Sequence, residues 1–175
     1  MANLNTFVQK LSGGGARANQ FEVQITGGPF GGSDLFTFLC KGAQIPAQNV
    51  GEIPVPYRGR QIYVAGDRTV DPWTVTVFND AAWDLRGRME RWSNQVADMG
   101  NSSVGAQNPG TYYAQGLVRQ LNRDGDSINT YTLYHLWPTA VDPIDLSYDA
   151  NDVIEEFGVT FRYNYLHSSK GGGAL

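Results

Sequence analysis

Residues 112–137 read YYAQGLVRQLNRDGDSINTYTLYHLW. Apolar and polar side chains alternate on both sides of Asp124-Gly125, and Asp-Gly between two alternating runs is the strongest short-range signal for a β-hairpin. The stretch therefore predicts two long antiparallel strands, Tyr112 to Asn122 and Ile128 to Trp137. Strands of this kind normally belong to a β-sandwich or a barrel.

Further segments carry strand patterns and lie on both sides of this hairpin. They are Phe21 to Thr26, Leu35 to Lys41, Gln61 to Val64, Trp73 to Phe78 and Phe157 to Tyr165. In a strand successive side chains point to opposite faces, so each segment can bury one face. We expect six to eight strands in total, with Phe36, Phe38 and Cys40 sharing one face of theirs.

One segment has the helical period. Its apolar residues are spaced by three or four positions and form a single stripe, made of Ala82, Leu85, Met89, Trp92, Val96 and Met99. Asn79 and Asp80 are favourable N-caps, and Gly100 is placed to end the helix. The fold class predicted is mainly β, an antiparallel β-sandwich or barrel with one flanking α-helix.

The length of 175 residues corresponds to about one domain. We assign residues 1–18 to an N-terminal arm, residues 19–167 to a single β domain and residues 168–175 to a flexible Gly-rich tail. The arm has a short helical stripe, formed by Leu4, Phe7, Val8 and Leu11. That stripe either docks on a neighbouring molecule or belongs to a frayed terminus.

Composition points towards protein partners. Thirteen basic and seventeen acidic residues give a net charge of −4, the opposite of the balance expected for a protein that grips phosphates. The chain prefers Tyr, Trp and Arg over Lys and Glu, as protein–protein interfaces do. It has no apolar run of about 18 residues and no secretory signal pattern, which predicts no membrane span and synthesis in the cytoplasm.

The sequence contains no pattern of residues typical of a catalytic, cofactor-binding or metal-binding site. Phosphate-binding glycine loops are absent, and two histidines are too few for a usual three-ligand zinc site. Glu155 and Glu156 are adjacent and would point to opposite faces of a strand, so they cannot act as an acid–base pair. Cys40 is interpreted as a small buried apolar side chain.

A proline-rich segment stands apart from the strands. Pro46, Pro54 and Pro56 cannot lie in a central sheet, which predicts a long extended loop or an edge excursion. This loop would leave apolar side chains in water on a lone subunit; they are Val50, Ile53, Val55 and Tyr57.

An ordered series of short elements between Asn19 and Tyr165 resembles the tail-tube proteins of contractile-tailed bacteriophages. The elements are Phe21-Glu22-Val23, Cys40 to Pro46, Pro56 to Arg60, Ala65 to Arg68, Trp73 to Asp80, Arg88 to Trp92, Trp137-Pro138 and Glu156 to Tyr165. The resemblance implies a structural protein without catalysis. Six subunits would form a ring whose inner sheets join into one large β-barrel, and rings would stack into a hollow tube for genome delivery inside a sheath.

The same resemblance implies partners and a location. The partners are further copies of the chain, the tail sheath protein, the baseplate and tail terminator proteins and the tape measure protein in the lumen. DNA would pass through without specific binding, along a lumen that we expect to be net negative. The protein would be part of the virion after synthesis in the host cytoplasm.

The proline-rich loop is the element that the resemblance assigns to contacts between rings. The expected contact residues are Pro46, Val50, Ile53, Pro54, Val55, Tyr57, Arg58, Gly59, Arg60 and Arg68. Three alternatives remain open on the sequence alone: the inner tube of a contractile injection system or bacteriocin that delivers proteins, a sugar-binding β-sandwich, and an enzyme on a β-barrel.

Overall fold

A computed structural model describes residues 3–11, 15–28, 35–100 and 105–171. The helices are α1 (Leu4–Lys10), α2 (Leu35–Leu39) and α3 (Asp84–Val96). The strands are β1 (Phe21–Gly27), β2 (Cys40–Ala43), β3 (Asn49–Tyr57), β4 (Arg60–Thr69), β5 (Trp73–Phe78), β6 (Ala114–Leu121), β7 (Ser127–Val141), β8 (Glu156–Arg162) and β9 (Tyr165–Ser168). The prediction of a mainly antiparallel β protein is confirmed, with nine strands in the described ranges.

Seven strands form one hydrogen-bonded sheet in two halves that share β7. The N-terminal half of β7 pairs with β6 on one side and β9 on the other, and β6 pairs with β1. We call this four-stranded unit sheet A. The C-terminal half of β7 pairs with β8, which is followed by β5 and β2; this unit is sheet B. Every pairing is antiparallel.

The predicted hairpin around Asp124-Gly125 is confirmed, but its second strand is longer than expected. β7 does not stop at Trp137; it continues through Pro138 to Val141. Register shifts near His135 and between Pro138 and Ala140 bend the strand between the sheets. A proline is tolerated at such an irregularity because no ladder hydrogen bond is required of its nitrogen.

The two sheets and α3 enclose one apolar core. Its members on the strands include Val23, Ile25, Trp73, Val75, Val77, Val118, Leu133, Phe157, Val159 and Phe161. From α3, Leu85, Met89 and Trp92 are fully buried. The Trp92 ring lies 5.8 Å from the Phe161 ring, and its indole Nε1 donates a hydrogen bond of 2.7 Å to the carbonyl O of Tyr112.

The helix is shorter than its apolar stripe predicts. Ala82 precedes α3, and Met99 lies beyond it with 94% of its surface exposed. The N-cap residue is Trp83 rather than Asn79 or Asp80 as expected, but the Asp80 carboxylate still accepts hydrogen bonds of 3.1 Å from the N–H groups of Asp84 and Leu85. The helix ends at Ala97, which is extended, and Gly100 does not terminate it.

Two predicted strands are wrong in part. Residues 35–39 form the short helix α2 rather than a strand, and only Cys40–Ala43 is β structure. Phe36 is fully buried as expected. At the other end of the chain, β8 ends at Arg162 and Tyr165 begins β9, which pairs with β7 instead of continuing β8. The segment from Phe157 to Tyr165, predicted as one strand, is therefore divided between two strands.

The chain ends are only partly described. The arm contains the expected short helix, α1, with an exposed apolar stripe. The boundary of the Gly-rich tail stays a prediction: Ser168 is buried at the end of β9, Ser169 and Lys170 hydrogen-bond to Asn129, and residues 172–175 lie outside the described residues. Residues 12–14 of the arm also lie outside the described residues.

Replacing Trp92 with Ala should lower the free energy of unfolding by about 3–5 kcal/mol, because it empties a fully buried site and removes a buried hydrogen bond. Thermal unfolding of the purified protein measures the change. Met99→Ala is the matched control and should leave the transition unchanged, since Met99 is exposed. Equal melting temperatures for the Trp92 variant and wild type would exclude Trp92 from the core.

Cys40 should be a slow nucleophile. Burial raises the pKa of its thiol from 9.0 to about 11, outweighing the lowering effect of a hydrogen bond with the backbone of Gly42. A two-unit rise leaves roughly 100-fold less thiolate at pH 8, so alkylation by iodoacetamide should be slower by about that factor than in denaturant. The rate should climb about tenfold per pH unit up to pH 11. A native rate equal to the denatured rate would contradict this.

Candidate assembly surface: the β3–β4 hairpin

The proline-rich segment forms a regular hairpin. In the described ranges β3 and β4 pair only with each other, as a two-stranded sheet separate from sheets A and B. Pro54 and Pro56 lie two residues apart in β3, so both nitrogens face the same, outer edge of the hairpin. The prediction that prolines keep this segment out of the main sheet is confirmed, although it is a strand rather than an irregular loop.

The hairpin tip is a tight two-residue turn. Arg58 has φ +46° and Gly59 has φ +81°, the pair of positive values that a type I′ turn requires. Glycine adopts this conformation freely, whereas arginine is strained in it. The Arg58 guanidinium lies 5.4 Å from the centre of the Tyr57 ring, a cation–π distance.

One face of the hairpin is apolar along its length. Ile53 lies opposite Val64, Val55 lies opposite Ile62, and Tyr57 continues the row towards the tip. Directly opposite residues point to the same side, so these five side chains form one surface, which we call the apolar face. Each is between 43% and 58% exposed.

The opposite face is mixed. Pro54 lies across from Tyr63, Pro56 across from Gln61 and Glu52 across from Ala65. An isolated two-stranded hairpin is marginally stable in water, and contiguous exposed apolar patches mark interaction sites. The hairpin therefore has the properties of a surface that is covered in an assembly.

The base of the hairpin is tightly built. A register shift separates Val50 from Glu52, and the backbones of Gly51 and Gly66 approach each other there. A Cβ added at Gly66 would lie 3.2 Å from the carbonyl O of Gly51. Beside this contact, Arg68 Nη1 donates a hydrogen bond of 3.0 Å to Gln48 Oε1.

Most of the residues expected at the ring contact come together on this hairpin. They are Val50, Ile53, Pro54, Val55, Tyr57, Arg58, Gly59 and Arg60. Arg68 lies on β4 near the base, and Pro46 precedes β3, half-buried. Sequence reasoning missed Ile62, Tyr63 and Val64, which are exposed. The alternation of Ile62 and Val64 was visible, but only the pairing with β3 puts them on the apolar face.

The described residues contain no group of three or more His, Cys, Asp or Glu side chains placed to hold a metal ion. In the same part of the chain, none of the helices has the length and apolar character needed to cross a membrane.

The sequence relatives of the chain are phage tail tube proteins. The chain is 41% identical over 155 residues to tail tube protein gp19 of Enterobacteria phage T4, which covers 88% of the chain and 92% of that protein. It is 28% identical to the tail tube protein of Serratia phage KSP90, over 93% of the chain and 95% of that protein.

The fold has counterparts among solved structures. The chain superposes with a TM-score of 0.67 and 10% identity on a chain from the sheath/tube terminator of an extracellular contractile injection system, covering 89% and 96% of the two chains. With the sheath–tube complex of such a system the TM-score is 0.63 at 13% identity, over 93% and 96%. The sequence pattern of the family "Phage tail tube protein" matches residues 16–169, and the chain belongs to that family of structural tail tube subunits.

Proposed function

We propose that copies of this chain assemble into hexameric rings, which stack into a hollow conduit for genome delivery inside a contractile sheath. The observation that carries the proposal is that one subunit leaves two kinds of surface unsatisfied. Within the described residues sheet A has an edge strand without a partner on each side, β1 and β9, and the β3–β4 hairpin exposes an apolar face. The first supports ring closure and the second supports stacking.

Ring closure follows from the order β1-β6-β7-β9 in sheet A. Since successive strands alternate in direction, β9 of one subunit is antiparallel to β1 of the next when the sheets lie side by side. Such an edge-to-edge contact is head-to-tail, and head-to-tail contacts close into rings. Six copies of the four-stranded unit give a barrel of 24 strands with no free edge.

The outer face of sheet A is the candidate channel wall. Its described strand residues include Glu22, Gln24, Thr26, Gln115, Leu117, Arg119, Thr130, Thr132, Tyr134, Tyr165 and His167. With histidine neutral, the two charged side chains among them cancel: Arg119 Nη1 is 3.1 Å from Glu22 Oε2. These strands do not support the expected net-negative lumen. They support a polar wall of near-zero net charge, which offers DNA few unpaired cations to bind.

Stacking uses the hairpin. Covering its apolar face removes apolar surface from water at about 25 cal/mol per Å². A contact repeated six times around a ring adds up by avidity. Arg58 and Arg60 can bind carboxylates of the adjoining ring, and ion pairs of this kind fix register more than they add affinity.

The proposal includes a non-enzymatic role with the sheath, baseplate, tail terminator and tape measure proteins as partners, and DNA as cargo that is not specifically bound. Synthesis is in the host cytoplasm. The shared fold also fits the alternative, the inner tube of a contractile injection system, but the sequence relatives are phage proteins.

Electron microscopy of the purified protein tests assembly directly: the proposal expects rings or tubes, and a monomer would overturn it.

Replacing residues 49–69, the whole β3–β4 hairpin, with a short Gly-Ser bridge should give folded subunits that no longer polymerise into tubes. The hairpin has its own two-stranded sheet, so its loss leaves the main core intact. Circular dichroism checks folding, and electron microscopy with sedimentation checks tube formation. Long tubes of normal stability from this variant would show that the hairpin serves another surface.

A milder pair of variants tests the apolar face itself. Val55→Thr with Ile62→Thr makes one cross-strand pair polar while keeping good strand formers. Tubes should then dissociate at a lower temperature, with unfolding of the free subunit unchanged because both side chains are already exposed. The control, Gln61→Thr with Tyr63→Thr, alters the opposite face. An equal effect of both pairs would refute the assignment to one face.

A three-dimensional reconstruction of assembled tubes should show β1 of one subunit beside β9 of the next. Gln24, Gln115 and Thr132 should face the lumen, since they alternate with core residues on sheet A. Lumen-facing side chains drawn from sheet B, or rings joined without strand pairing, would contradict the ring-closure model.

A further inference from the structure

Fourteen residues, 142–155, connect β7 to β8 without regular structure. We call them the acidic loop. Loops of this length inside a compact domain are uncommon and usually functional. The loop exposes large apolar side chains: Leu146, Tyr148, Val153 and Ile154. Together with Ile144, three of these residues line an open cleft of about 380 Å³.

The loop has a strongly one-sided charge. Residues 142–155 contain five acidic residues and no lysine or arginine, and a sixth acidic residue, Glu156, begins β8. Glu155 accepts a hydrogen bond from Asn79, and Glu156 forms an ion pair with Lys41. Asp145, Asp149 and Asp152 form no salt bridge with any described residue, and Asp145 lies at the cleft. The cleft is therefore both apolar and acidic.

The N-terminal arm has the complementary properties. Leu4, Phe7 and Val8 of α1 are between 61% and 73% exposed, and no residue of the helix is buried. A helix of seven residues is not stable alone in water, so α1 requires a surface to pack on. The only charged residues before Glu22 are Lys10 and Arg17. The arm is thus a short, basic, amphipathic segment.

We infer that α1 of one subunit docks in the acidic-loop cleft of a neighbouring copy. In the single subunit both surfaces remain exposed, so the chain's own arm does not cover its own loop. Ten residues, 11–20, separate α1 from β1 and can span about 33–36 Å when extended. That reach would allow the helix to contact a neighbouring subunit. The apolar stripe would enter the cleft, and Lys10 would lie near the free carboxylates.

This contact rests on the proposed function only in requiring that copies lie side by side. It would join subunits by a second route, independent of the sheet edges and of the β3–β4 hairpin.

Mixed cross-linking of full-length chains tests the inference. One variant carries Val8→Cys and a second carries Val153→Cys; they are purified separately, mixed, assembled and oxidised. We expect a disulfide-linked dimer at least tenfold more abundant in the mixture than in either variant alone. Native Cys40 does not interfere, since burial suppresses its thiolate. Gln9→Cys, off the apolar stripe, replaces Val8→Cys in the matched control and should cross-link several-fold less.

The outcomes separate this inference from the proposed function. Normal tubes without the mixed dimer would overturn the inference alone. A cross-link found only within a chain that carries both cysteines would also overturn it, because it would show the arm on its own loop. Full reactivity of the Val153→Cys thiol towards maleimide, in tubes that lack the sheath, would also overturn the inference. It would indicate that a partner other than the arm covers the loop. A mixed dimer without rings or tubes would support the inference and refute the proposed function.

A charge variant gives a second readout. Lys10→Glu should slow formation of the mixed dimer several-fold, since it places a like charge near the acidic loop. Lys170→Glu is the control and should have no effect, because Lys170 lies at the other end of the chain beside β9. Equal rates for both variants and the unmodified pair would overturn the electrostatic part of the inference.

Discussion

The subunit depends on one bent strand, β7, which pairs in both sheets. The bend is at His135, whose φ of +57° is strained for a residue with a side chain. Its ring stacks on Tyr113 at 4.8 Å between centroids, and its Nδ1 lies 3.1 Å from Asn164 Nδ2. These contacts hold the residue at the point where β7 leaves sheet A, and they link it to the turn between β8 and β9.

The bend decides which edges stay open. Because the C-terminal half of β7 turns away to pair with β8, its N-terminal half is free to accept the short strand β9. Sheet A then has four strands with β1 and β9 at its borders, and the core is closed by sheet B and α3. The core is closed, but in the described residues the outer edges of β1 and β9 have no partner strand. Strand pairing between copies would satisfy the backbone groups at these edges.

Sequence analysis succeeded where one period was unambiguous. Trp73–Phe78 and the hairpin around Asp124-Gly125 alternate strictly over enough residues that only a strand fits. It failed at residues 35–39, because Phe36 and Leu39 are three apart and suit a helical turn as well as a strand. The route of β7 past Pro138 could not be predicted, since it depends on register shifts that arise from pairing with β8. The apolar face of the β3–β4 hairpin likewise exists only once Ile53 is paired with Val64.

The net charge of the whole chain, −4, does not predict the charge of an individual surface. It suggested a negative channel, yet the strands of the candidate wall contribute one carboxylate and one guanidinium that pair with each other. Five acidic residues instead belong to residues 142–155, between two strands of sheet B. A mostly uncharged wall would suit the proposed conduit, because it would neither hold the cargo nor repel itself around the proposed ring. The acidic charge then remains available on the loop to select a basic partner segment.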